Sequence, residues 1–252
     1  METLAVGERN VAARAGVAAG RRRERLFYTG MAAAFVLTVF AGFARTYYLR
    51  PYFDSKPLVT ILHLHGLLFT SWIVLFVVQT ALVAKRRTDV HRRLGVAGAL
   101  LAALMVLVGV TTALVRAKAA DVGPGGISPL AFLTVPLGDM LVFAILVGAG
   151  VYFRGRPDAH KRLMLLSTIA ILPAAVARLP LNFIQQGGPP AFFGLSDLFI
   201  IPCLLYDLFA RGRFHRATVA GGLLIVVSQA LRGPVGNTSA WLAFAAWLTR
   251  WF

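Results

Sequence analysis

The sequence predicts an all-α polytopic membrane bundle of seven transmembrane helices, and three observations predict it. Hydrophobic residues make up 58% of the 252, with a mean hydropathy of +0.73. Charged residues make up only 14%, against roughly 25% in a soluble domain, too few to cover a water-facing surface. The apolar residues also fall in seven runs, at 27–48, 58–84, 94–115, 131–153, 163–180, 191–209 and 217–232. Most of these are long enough to cross a hydrocarbon core of about 30 Å at a helical rise of about 1.5 Å per residue.

Each segment follows from its own composition. Residues 1–26 read as a mobile basic cytosolic tail. Arg21, Arg22, Arg23 and Arg25 precede the first apolar run, which shows no clear cleavage site and so reads as an anchor helix rather than a signal peptide. The membrane domain is expected over 27–235, as one leading helix followed by three hairpins. Residues 236–252 are expected as an interfacial segment, because Trp241, Trp247 and Trp251 favour the headgroup level and the stretch is too short to span.

The net charge of +16 does not indicate nucleic-acid binding, because the basic residues come in short blocks between long apolar runs. The tail holds six Lys or Arg, the second loop five, the fourth four and the sixth three, so 18 of 26 lie on one side. By the positive-inside rule that side is cytosolic. The expected location is the bacterial inner membrane, with a cytosolic N-terminus and a periplasmic C-terminus. One cysteine, Cys203, excludes an internal disulfide and a thiolate metal cluster.

An internal echo marks the basic loops. Arg87-Thr88-Asp89-Val90-His91-Arg92-Arg93-Leu94 resembles Arg156-Pro157-Asp158-Ala159-His160-Lys161-Arg162-Leu163, and Arg213-Phe214-His215-Arg216 is a fainter third copy. Asp89 and Asp158 are expected as helix N-caps, with the arginines reaching anionic lipid headgroups. Alternatively His91, His160 and His215 converge at three helix ends. There they would hold a transition metal (Zn, Fe or Cu) or meet a quinone or haem propionates.

A second polar layer lies in the other half. His63 and His65 stand one to two turns into the second helix; residues two apart point about 200° apart, so they are no chelating pair, and His65 is the one expected inside. Asp139 and Asp197 lie near the outer starts of the fourth and sixth helices, and Arg178, Arg232 and Arg45 near outer finishes. A buried carboxylate must be paired, neutral or wet, and Arg178 and Arg232 are the expected partners. The layer reads either as ion pairs that fix register or as a ligand pocket. Gln79 and Asp207 lie in the inner halves, with Trp72 and Tyr206 as candidate linings of a polar trail between the two layers. Pro173 and Pro202 are candidate kinks. The phosphate loop, HExxH and nucleophile-elbow motifs are absent.

His65-Gly66, Trp72, Gln79 and His91-Arg92-Arg93-Leu94-Gly95 resemble a group of bacterial multi-pass membrane proteins with an HRxLG motif. That resemblance covers about the central two thirds and implies no activity. A looser similarity is to the b-type di-haem membrane cytochromes, which implies electron transport through haem b, with His65 as an outer ligand and His91 or His160 as an inner one. The departure is that both outer histidines sit on one helix, so a second outer ligand would have to come from another membrane subunit or a different residue type. The expected function is a fixed polar or metal/haem site, redox-active in one reading. The alternatives are a small-molecule or ion transporter or binding module, and an accessory subunit of a membrane complex.

Overall fold

The computed structural model describes the backbone of residues 2–53 and 57–252, and the side chains of 16, 18–53 and 57–252. Regular structure among the described residues is entirely helical: α1 Glu2–Phe43, α2 Thr60–Ala84, α3 Thr88–Lys118, α4 Pro129–Phe132, α5 Thr134–Tyr152, α6 Pro157–Ala170, α7 Pro173–Val176, α8 Asn182–Asp197, α9 Ile200–Arg211, α10 Arg216–Gly236 and α11 Ser239–Thr249. These build seven spans long and apolar enough to cross a membrane: Ala18–Tyr48, Thr60–Ala84, Thr88–Lys118, Pro129–Gly155, Pro157–Val176, Asn182–Arg211 and Arg216–Gly236. The chain is an integral membrane protein. Leu37, Leu67, Leu100, Leu107 and Leu223 are among many large apolar side chains that stand exposed, as lipid-facing residues must.

The fifth span is the axis of the bundle. Of its apolar window 72% is buried, against 11% for the second span. Leu165, Leu166, Ile169 and Leu172 on this span pack with Phe35 of α1, Leu146 of α5, Ile200 of α9 and Ile225 of α10. A second cluster joins Trp72 and Ile73 of α2 to Met105 of α3 and Phe143 of α5.

Three spans are interrupted, the fourth between α4 and α5, the fifth and the sixth, and proline accounts for the last two. Pro173 has no N–H to continue the ladder, so α6 ends at Ala170 and Leu172 N–H turns back to Ile169 O at 3.0 Å. Pro202 acts likewise in the sixth span: α8 ends at Asp197, α9 starts at Ile200, and Ile201 N–H bonds Leu198 O at 3.2 Å. The sixth span also bends near its start, at Gly188-Pro189-Pro190, where Gly188 takes φ 56°. That conformation suits a residue without Cβ.

Three expectations change. The tail is continuous with the first span, since α1 runs from Glu2. Asp89 and Asp158 are not caps. Helices α3 and α6 begin at Thr88 and Pro157, two residues earlier than such caps would place them, and have no side-chain cap, so both carboxylates fall in the first turn. The third copy of the echo is also not equivalent. His215 itself caps α10, its Nδ1 accepting Ala217 N–H at 3.1 Å. Helix α11 packs on the bundle, with Ala245 fully buried against Ala113, Leu114 and Leu133, and Trp241 Nε1 donating to Leu130 O at 2.9 Å.

The first span approaches α7 so closely that a Cβ on Gly42 would collide with the carbonyl of Ala175. Gly42→Ala should therefore lower stability by about 1–3 kcal/mol, read as the thermal midpoint in detergent. Gly30→Ala on the same helix, where nothing lies within 4 Å of the added Cβ, should leave it unchanged or slightly raised. Equal effects at the two positions would sink the close-contact argument.

Candidate functional site: two polar layers

The basic end carries two separate clusters, held on opposite sides of α6. In the first, Asp207 of α9 is fully buried and its carboxylate is saturated. It accepts Arg162 Nε at 2.7 Å, Arg162 Nη2, the backbone N–H of His215 at 3.1 Å and the hydroxyl of Thr218. Arg162 also donates to Asp158 O at 2.8 Å. Asp158 in turn takes Lys161 at 2.9 Å and Arg211 at 3.0 Å, and Lys161 reaches Glu24 of α1 at 2.8 Å. Tyr28, Tyr206 and Cys203 close over the pair. With every Asp207 oxygen bonded, this cluster is a clamp: removing one partner of such a pair costs several kcal/mol.

The second cluster holds His91 of α3 and His160 of α6, with ring centres 6.1 Å apart and planes at 83°. His160 Nδ1 lies 2.8 Å from Gly150 O. A carbonyl only accepts, so Nδ1 carries the proton, and in the neutral ring Nε2 keeps its lone pair. His91 Nδ1 is buried without a partner. Gln79 of α2 donates to the backbone carbonyl of His91 at 3.3 Å, and its own Oε1 is buried and unpartnered.

The three loop histidines thus do not converge. His91 and His160 meet, while His215 is engaged as the α10 cap beside Asp207. Among the described residues no group of three or more His, Cys, Asp or Glu is placed to hold a metal ion. The trail between layers is not continuous either. Gln79 belongs to the histidine pair, Asp207 to the clamp, Trp72 Nε1 donates to Thr168 Oγ1 at 3.2 Å, and Tyr206 stacks on Phe27 at 4.3 Å.

At the other end the structure pairs the charges across hairpins. Arg232 of α10 donates to Asp139 of α5 and, at 3.2 Å, to Val135 O; its guanidinium lies 4.9 Å from the centre of the Phe193 ring. Both members of the pair are buried. Gly138 makes room, since a Cβ there would meet Arg232 Nε at 2.8 Å. Arg178 joins no carboxylate: it donates to Ala174 O and lies 4.8 Å over Phe43. Arg45 lies 5.1 Å over Phe53. Asp197 Oδ1 and Gln229 Oε1 are buried and unpartnered. His65 is half-buried, stacks on Phe69 at 4.1 Å and leaves Nδ1 unpartnered, whereas His63 is exposed.

Three residues of these clusters, Arg162, Thr218 and Gln229, do not stand out in the sequence. Arg162 looks like one more topology charge, and only its place five residues after Pro157, one turn inside α6, distinguishes it from its neighbours. Nothing in the sequence separates Thr218 or Gln229 from ordinary polar residues of a membrane helix.

Both ends can be tested by substitution. Asp139→Asn should destabilise the protein by about 3 kcal/mol, and Asp139→Asn combined with Arg232→Gln should cost less than the sum of the single changes; strictly additive losses would remove the pair. Burial, then the charges of Arg162 and Arg211, hold the His215 imidazole below its ordinary value of 6.5. Folding therefore favours the neutral ring that caps α10. That stability is present above pH 6.5 and is lost as pH falls below it. His215→Ala should cost about 1 kcal/mol at pH about 8 and less near pH 5, while His215→Asn should cap at both; a pH-independent loss would contradict the neutral cap.

No family model matches the chain, and no curated protein or solved structure matches it.

Proposed function

We propose that this membrane protein holds a metal-centred cofactor at its basic end, between His91 and His160, and works as a fixed-site redox or cofactor-binding module. The observation that carries the reading is the pair itself. One imidazole has its proton assigned away from the site by Gly150 O, and the other has a buried ring nitrogen without a partner.

The donor set fits a two-imidazole group. The two ring centres lie 6.1 Å apart, close enough for both imidazoles to reach one shared ion. His91 and His160 would hold haem b or a transition ion; haem, iron or copper would supply one-electron chemistry there, and zinc would not. The chain's own residues orient the pair: Gly150 O fixes the His160 tautomer, Gln79 anchors the backbone of His91, and the surrounding arginines suit acidic groups such as propionates. A second haem in the other layer is not part of the proposal, because His63 and His65 point apart on one helix and no further imidazole joins them among the described residues. The basic end is taken as cytosolic in a bacterial inner membrane, supported by the distribution of Lys and Arg.

The test is the visible spectrum and metal content of the full-length protein purified in detergent. A Soret band or a stoichiometric metal is expected. It should be lost in His91→Ala and in His160→Ala while both still elute as folded particles, and kept in His215→Ala and His65→Ala. A colourless, metal-free wild-type protein would overturn the proposal.

A further inference from the structure

The opposite end of the bundle holds a half-buried carboxylate with an unpartnered oxygen, independent of the histidine pair. Asp139 and Arg232 are buried and Asp197 is half-buried, and Arg232 is the guanidinium that acts on both carboxylates. Arg232 donates to Asp139, Val135 O and Ser228 Oγ, and its Nε is buried without a partner. Arg232 and Gln229 are the neighbours that act on Asp197. The other elements packed on α8 bring no compensating cation: α6 and α7 carry no charged residue from Leu163 to Ala177, and Arg178 turns to Ala174 O and Phe43.

Two acceptor atoms in this layer have no donor. Asp197 Oδ1 and Gln229 Oε1 are both buried and unpartnered, and Gln229 is only 6% exposed. Buried polar atoms without partners are costly, and an uncompensated buried carboxylate more so. One proton removes both deficits. A neutral Asp197 donates its O–H to Gln229 Oε1 and accepts the Gln229 amide N–H on its other oxygen, the closed acid–amide pair familiar from small molecules.

Asp197 is the last residue of α8, at the tightened turn before α9 that Pro202 imposes, where Leu198 and Phe199 keep right-handed helical angles. From the two orphaned acceptors on facing spans, we infer that Asp197 and Gln229 form a proton-binding site within the membrane domain, with Asp197 carrying the proton at neutral pH beside the Asp139–Arg232 pair.

Infrared spectroscopy of the full chain in detergent at neutral pH tests this directly. A carboxylic-acid C=O band that shifts in D2O reports a protonated carboxyl, and its loss on substitution of one aspartate assigns it. The band should be lost in Asp197→Asn and moved to higher frequency in Gln229→Leu, which removes the hydrogen bond. Asp197→Glu, which keeps the acid in a closely related side chain, should retain a shifted band and guards against a variant that does not fold. Absence of the band in the wild type, or its survival in Asp197→Asn, would overturn the inference. A band that appears only after sodium is withdrawn would replace the proton with a sodium ion and overturn it equally.

Discussion

The Arg162–Asp207 pair is the constraint on which the basic end depends. An aspartate with no exposed surface is tolerable only when its charge is matched and its lone pairs are filled, and here both conditions are met by three separate stretches of chain. The guanidinium comes from α6, the hydroxyl from α10 and a backbone N–H from the loop between α9 and α10. Satisfying one carboxylate therefore fixes the ends of the three spans against each other. The ring of Asp158, Lys161, Arg211 and Glu24 extends the same logic to the first span. Those outer pairs are partly solvated and contribute less individually.

Within lipid there is little hydrophobic gradient to hold helices together, so packing and polar pairs decide register. The bundle accordingly has a second buried pair at the far end, Asp139–Arg232, joining the fourth span to the seventh. Between these two polar levels the contacts are mainly aliphatic and aromatic, centred on the fifth span, with the Trp72 Nε1 to Thr168 Oγ1 bond among them. Small residues permit the closest approaches, as where Gly221 lets Leu166 and Leu146 reach α10.

How much of this was legible depended on which physics left a trace in composition. Span number and position were readable because a run of about twenty apolar residues matches the thickness of a bilayer and little else in a chain this short. The buried charges were readable as a problem: Asp139 and Asp197 had to be paired, neutral or wet, and the structure pairs one and leaves the other short of a cation. Which arginine answered which aspartate was not readable, because hairpin neighbours and non-neighbours look alike until the helices are packed; Arg178, the expected partner in the second hairpin, faces Phe43 instead. The histidine echo gave His91 and His160 as equivalent. The same pattern misled at His215, since a cap lies one position outside the helix and points its ring at its own backbone.

Helix α6 carries His160 and Arg162 only two positions apart, on nearly opposite walls. One ring is tied to Gly150 and faces His91; the other side chain is locked to Asp207. The helix is in effect an axle pinned on both sides. Any torque that swings the imidazole outward must drag the guanidinium off its carboxylate, so the left wall cannot loosen while the right wall holds. Rigidity at the histidines is thereby borrowed from a charge pair that never touches them.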